Sequence, residues 1–81
     1  MKKIKIGVLG DGGWGTTLAI LLHRKGHSVT LWGAFGDYIS YMRKKRVNAK
    51  FLPGVKIPKG IEITPDLKSA VAGKDLEKMG R

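Results

Sequence analysis

The sequence predicts an α/β fold, with a parallel sheet built from about three strand–helix units in the order β-α-β-α-β-α. Three observations carry that prediction. A short apolar run, Ile4 to Leu9, ends at a glycine cluster, as a buried parallel strand does. A helical period follows at once, from Gly13 to Lys25. A second run rich in β-branched and aromatic residues, Ser28 to Trp32, comes next. Strands alternating with helices in this way call for right-handed crossovers between parallel neighbours.

Each element has its own signals. In the first helix Trp14, Leu18, Leu21 and Leu22 recur at one face, with the small Ala19 beside them. His23, Arg24 and Lys25 fill its last turn, where cations complement the helix dipole, and Gly26 is placed to stop it. After the second strand, Gly33-Ala34-Phe35-Gly36 reads as a loop. Asp37 is placed to cap a second helix running to about Arg46, with Tyr38, Ile39, Tyr41 and Met42 on its apolar side. Val47 to Gly60 contains Pro53, Gly54, Pro58 and Gly60 and reads as a long connection without a period. Ile61 to Thr64 alternates as a short third strand. Pro65 and Asp66 then open a third helix carrying Leu67, Ala70 and Val71, which Gly73 ends. Residues 74–81 hold only Leu76 and Met79 as large apolar groups and read as a tail.

The chemistry lies in the turn Gly10-Asp11-Gly12-Gly13-Trp14-Gly15. A G-x-G-x-x-G string is weak by itself in a chain with 12 glycines. Here it leaves a predicted strand and opens a predicted helix, the context that a dinucleotide-binding, Rossmann-like unit requires. Gly10 makes the sharp turn. Gly12 lets a pyrophosphate approach the backbone. Gly15 lets helix and strand pack closely. Amides at Gly13, Trp14 and Gly15 are then free to face phosphate, helped by the positive helix end. The acid that often holds the ribose at the end of the second strand is absent: Gly33, Ala34 and Phe35 occupy that place. No arginine stands there for a 2′-phosphate either, so NAD and NADP both remain open. Phe35 is placed either against an adenine ring or in packing.

Composition narrows the alternatives. An apolar fraction of 42% with 27% charged residues suits a globular chain. There is no cysteine, which excludes disulfides and thiolate metal sites. No apolar run approaches the roughly 18–20 residues of a membrane span. Met1-Lys2-Lys3 is not followed by an export signal, so the cytoplasm is the expected location. The net charge of +10 raises nucleic acid as a partner. The basic residues are spread over every segment, however, without interleaved aromatics, and so fit a basic surface serving an anionic cofactor better. The run Arg43 to Arg46 reads as a solvated helix end. His23 and His27 flank the end of the first helix without a matching set of metal ligands.

Four stretches together resemble a known family: G-D-G-G-W-G-T-T-L-A at 10–19, G-H-S-V-T-L-W-G at 26–33, N-A-K-F-L-P-G at 48–54 and I-T-P-D-L-K-S-A-V-A-G at 63–73. They are similar to the N-terminus of bacterial NAD(P)-dependent glycerol-3-phosphate dehydrogenase. The resemblance implies a dinucleotide partner and reversible reduction of dihydroxyacetone phosphate to sn-glycerol 3-phosphate, feeding phospholipid synthesis. It implies cofactor contacts at Gly13 and Trp14, and a further cofactor position at Ala34 and Phe35, where many members carry His or Arg. With the turn itself, the expected cofactor set is Gly10, Asp11, Gly12, Gly13, Trp14, Gly15, Ala34 and Phe35.

The departure comes after Gly73. The family continues with Ala-Asp and an apolar strand ending in Pro-Ser, whereas here Lys74-Asp75-Leu76 is followed by Glu77-Lys78-Met79-Gly80-Arg81. The expectation is a partial dinucleotide-binding domain over residues 1–73, with no fourth strand, no catalytic lysine and no helical substrate domain. A missing fourth strand would leave Ile4 to Leu9 as an exposed edge. Self-association through that strand, and with it a non-catalytic assembly module, is the alternative expectation.

Overall fold

A computed structural model of the chain describes residues 2–80. Its elements are β1 (Lys5–Leu9), α1 (Gly13–Arg24), β2 (Ser28–Trp32), α2 (Gly36–Lys45), β3 (Val47–Asn48), β4 (Leu52–Lys56), β5 (Glu62–Thr64), α3 (Leu67–Val71) and β6 (Leu76–Met79). The main sheet has the order β5-β2-β1-β6 with every pair parallel. The chain steps outward from β1 to β2 to β5, then returns across the sheet to β6. Right-handed crossovers therefore put α1 and α2 on one face and α3 on the other.

The two faces differ in kind. Ile6 pairs with Val29, Val8 with Leu31, and Leu31 with Ile63, so these five side chains share one face. All are buried, and with Ala19 and Ile20 of α1 and Ile39 and Met42 of α2 they make the core. The opposite face carries Gly7, Thr30 and Thr64. A Cβ built at Gly7 would collide with the Ala70 carbonyl oxygen, so α3 rests directly on the backbone of β1. Thr30 is satisfied on this side by its hydroxyl donating to Glu62 Oε1 at 3.1 Å.

The sheet overturns the expectation about its edge. β1 is an interior strand, paired with β2 on one side and β6 on the other. Ile4 to Leu9 is thus not an exposed edge, and the route to self-association through it is closed. The expected tail over residues 74–81 is likewise corrected for its described part, 74–80, because Leu76–Met79 is the fourth strand; Arg81 lies outside the described residues. Backbone bonds pin it: Asp75 N donates to Lys5 O at 2.7 Å and Gly80 N to Leu9 O at 2.8 Å. The Asp75 carboxylate also accepts from Lys5 N at 2.8 Å. All four β6 residues are exposed. The open edge therefore carries Glu77 and Lys78, charges of the kind that discourage pairing with another chain.

Three further expectations are corrected. The connection from Val47 to Gly60 contains an antiparallel hairpin of β3 and β4, with a register shift at Val47 and Asn48. The buried side of α1 is Gly15, Thr16, Ala19 and Ile20, while Trp14 and Leu21 are exposed. Small residues win that face because the helix lies close against the sheet. Asp37 does not cap α2. It stands in the first turn after Phe35, whose side chain supplies no capping bond. Asp66 does cap α3, accepting from Lys68 N at 3.1 Å. The Ser69 hydroxyl bonded to it is the main cause that holds its carboxyl below the ordinary 3.8.

Two outcomes follow from this packing. Gly7→Ala should lower stability by about 1–3 kcal/mol, because a methyl there must push α3 off the sheet; the midpoint of urea unfolding measures it. The Asp66 cap, with its folded pKa depressed, stabilises above the ordinary carboxylate range and loses that contribution as the pH falls through the folded value. Asp66→Asn should therefore flatten the acid limb of a stability-against-pH curve.

Candidate functional site

The glycine turn leaves the C-terminal end of β1 and is shaped by backbone contacts. Gly10 has φ +130°, which a side chain would strain, and its N–H donates to Trp32 O at 2.8 Å. Gly15 is buried. A Cβ there would collide with the Gly10 carbonyl oxygen and lie 2.7 Å from the Gly80 carbonyl oxygen. Three backbone segments, the turn, the start of α1 and the end of β6, thus meet without intervening side chains. Gly13 is crowded too: a Cβ on it would lie 2.6 Å from the Phe51 carbonyl oxygen.

Gly12 differs from these. It is the N-cap of α1, in an ordinary extended conformation with φ −67°, and an added Cβ would meet only the Gly80 carbonyl oxygen at 3.8 Å. No neighbouring atom excludes a side chain there. The helix it opens receives no side-chain cap and has no acid in its first turn. Its first intrahelical bond runs from Thr16 N to Gly12 O at 2.9 Å, so the amides of Gly13, Trp14 and Gly15 precede the helix ladder. Uncapped amides, the positive end of a 12-residue helix and a bare Cα beside them fit an anionic pyrophosphate.

One residue that sequence reasoning passed over holds this turn in place. Asn48 is fully buried. Its Nδ2 donates to Asp11 O at 2.6 Å and to Thr16 Oγ1 at 2.8 Å. Its Oδ1 accepts from the Tyr38 hydroxyl and from Phe51 N, the latter at 3.3 Å. Two donors and two lone pairs are all used, which is the full capacity of an amide. Asn48 therefore ties the turn, α1, α2 and the β3–β4 hairpin together at one point. The only sequence signal for it is its place at the head of N-A-K-F-L-P-G.

The remaining expected residues fall as follows. Trp14 is 55% exposed at the start of α1, and Phe35 is 75% exposed just past β2. Ala34 is exposed beside it. Phe51, 54% exposed, brings a third aromatic near the turn through the hairpin. Gly33 ends β2 in a buried position, its N–H donating to Thr64 O at 3.2 Å, and places Ala34 and Phe35 at the exit of that strand. The structure thus brings Gly10 to Gly15 together with the end of β2. His23 and His27 take structural roles: the His27 Nδ1 accepts from Ile4 N at 3.2 Å, and the His23 ring lies against Gly60. Among the described residues no group of three or more His, Cys, Asp or Glu could hold a metal ion. No helix there is long and apolar enough to cross a membrane.

A parallel β-α-β unit, a glycine turn at the carboxyl ends of its strands and an uncapped helix N-terminus define the first half of a Rossmann-type nucleotide-binding fold, with the strand order 3-2-1-4. Comparison with known proteins makes this specific. The family described as "NAD-dependent glycerol-3-phosphate dehydrogenase N-terminus" matches residues 5–77, and the chain belongs to that family. It is 51% identical over 72 residues to glycerol-3-phosphate dehydrogenase [NAD(P)+] of Geobacter metallireducens, which covers 89% of this chain and 22% of that protein. The corresponding protein of Geobacter sulfurreducens is 49% identical over 71 residues, covering 88% of this chain and 21% of its own length. Among solved structures, glycerol-3-phosphate dehydrogenase from Coxiella burnetii superposes with a TM-score of 0.87 at 36% identity, over 95% of this chain and 24% of that one. The chain thus spans between a fifth and a quarter of the length of these relatives, and the family implies a nicotinamide dinucleotide as cofactor.

If Asn48 is the tie described, Asn48→Ala should cost about 2–3 kcal/mol, since it leaves several half-buried partners unpaired. Thermal or urea unfolding would show it. A near-neutral substitution would mean that those partners find water easily.

Proposed function

We propose that the turn Gly10 to Gly15 binds the pyrophosphate of a nicotinamide dinucleotide, and that this chain is the cofactor-binding portion of an NAD(P)-dependent glycerol-3-phosphate dehydrogenase. The observation that carries the reading is Gly12. Its neighbours Gly10, Gly13 and Gly15 lack side chains because backbone presses on them or because of a positive φ, whereas at Gly12 the space is left open beside three uncapped amides. Gly13, Trp14 and Gly15 supply N–H donors, Asp11 lies in the turn between them and β1, and Ala34 and Phe35 border the nucleoside side at the end of β2. When bound, the dinucleotide supplies or accepts the hydride. Holding and orienting the cofactor is the part these residues perform.

In the whole protein that cofactor would serve the reduction of dihydroxyacetone phosphate to sn-glycerol 3-phosphate, for phospholipid synthesis. None of this chain's lysines lies in a matching catalytic motif, so residues 1–81 by themselves should bind cofactor without turning over substrate. The dinucleotide-binding unit in this reading runs through β6 rather than stopping at residue 73. A reducing, cytoplasmic setting suits a chain without cysteine.

Titration of the purified chain with NADH, followed by calorimetry or nucleotide fluorescence, tests the proposal. Gly12→Val should weaken binding at least about tenfold, the equivalent of one or two lost phosphate hydrogen bonds. The variant should still fold, losing about 1 kcal/mol of stability as valine replaces glycine at the N-cap of α1. Gly15→Val, by contrast, should fail to fold, because its side chain has no room. Retained NADH affinity in folded Gly12→Val would overturn the assignment.

A further inference from the structure

The acid that often marks an NAD site is missing from the end of β2, but a carboxylate stands there nonetheless. A Cβ built on Gly33 would lie 2.6 Å from Asp11 Oδ2 and 2.8 Å from Asp11 Cγ. The Asp11 side chain thus crosses from the glycine turn and rests on the bare Cα of Gly33, the last position before Ala34 and Phe35. Its main chain is held from the other side, where Asn48 Nδ2 and Thr16 Oγ1 both donate to its carbonyl oxygen, at 2.6 and 3.3 Å. Among the described residues its carboxylate oxygens receive no hydrogen bond from protein. The residues that follow Gly33 are neutral, with neither Lys nor Arg at 34 or 35.

We propose that Asp11 sets the nucleotide specificity of the site, accepting from the adenosine ribose hydroxyls and repelling a 2′-phosphate, so that the chain takes NAD(H) in preference to NADP(H). The inference rests on the dinucleotide reading above and deepens it. The carboxylate reaches the crevice at the carboxyl ends of β1 and β2, where the ribose lies in this class of fold. A residue of the glycine turn does there what an acid on the strand does elsewhere, and the bare Cα of Gly33 leaves room both for it and for the Ile39 side chain, whose Cδ1 would collide with a Cβ at that position. Overall charge argues the other way. A protein of net charge +10 attracts the more highly charged NADPH more strongly at long range. A preference for NADH therefore has to come from a local group, and Asp11 is the carboxylate in position to provide it.

The test is a pair of titrations, NADH and NADPH, against the parent chain and Asp11→Asn at about 0.15 M salt, where the long-range field is largely screened. The parent should bind NADH about tenfold or more tightly than NADPH, the scale of one like-charge contact at a half-exposed site. Asp11→Asn should bring the ratio close to one, chiefly by tightening NADPH. Asp11→Ser is the second variant, should the amide find a new partner in the turn, and circular dichroism confirms that each variant is folded. Equal binding of the two nucleotides by the parent would overturn the inference and leave the dinucleotide reading standing. An unchanged preference in both folded variants would do the same. Binding of neither nucleotide would take down both.

Discussion

The contact on which the rest depends is the one between the Gly10 carbonyl and the Cα of Gly15, with the Gly80 carbonyl closing the third side. It fixes how near α1 can start to β1, and through that the direction in which α1 runs over the sheet. It also fixes where the first amides of α1 point. A larger residue at 15 would lift the helix start off the strand, and the core behind it, Ala19 and Ile20 against Val8 and Leu31, would lose its close packing. The same move would turn the uncapped amides away from the crevice. Fold and site therefore share one constraint, and a change there cannot damage one while sparing the other.

Asn48 makes that constraint rigid. A glycine turn is flexible in isolation, since glycine gives up more backbone freedom on folding than any other residue. Here Asp11 is anchored through its carbonyl to an amide that also holds Thr16, Tyr38 and Phe51. Among the described residues no buried side-chain nitrogen or oxygen lacks a partner. A fully used polar knot of this kind gains from its low-dielectric surroundings, whereas a half-used one would be a liability. The β3–β4 hairpin, which adds nothing to the main sheet, earns its place by delivering Asn48 and the Phe51 carbonyl to the turn.

The parts legible in the sequence were those with a local cause. β2 spans Ser28–Trp32 as read, because a β-branched run between Gly26 and Gly33 leaves few other choices. The glycine turn was legible because strand and helix flank it. The α1 stripe was misread because apolar size was counted, while the sheet selects small residues where backbones approach. β6 was missed because L-E-K-M has no apolar run. Its place is set by backbone pairing with β1 and by the Asp75 carboxylate on Lys5 N, seventy residues away, which no local pattern announces. Asn48 was missed for the same reason: its partners at 11, 16 and 38 are distant in sequence and meet only in the folded chain.

The motif G-D-G-G-W-G therefore mixes two kinds of glycine that a sequence pattern treats alike. Gly10, Gly13 and Gly15 are there because a side chain would be strained or would strike backbone: Gly10 and Gly15 through the close approach of the β-α-β unit, Gly13 through the Phe51 carbonyl of the hairpin. Gly12 meets neither condition. It is the N-cap of α1, where glycine is preferred over aliphatic side chains and only Ser, Thr, Asn or Asp would serve the helix as well or better. What sets it apart is its place: open space directly beside the uncapped amides and positive end of α1, surroundings that suit an anion. Asp11 adds a negative charge over Gly33, at the carboxyl end of β2. In the proposed reading, an elongated ligand with a phosphate at one point and neutral hydroxyls at the next would satisfy both ends, which a simple anion would not.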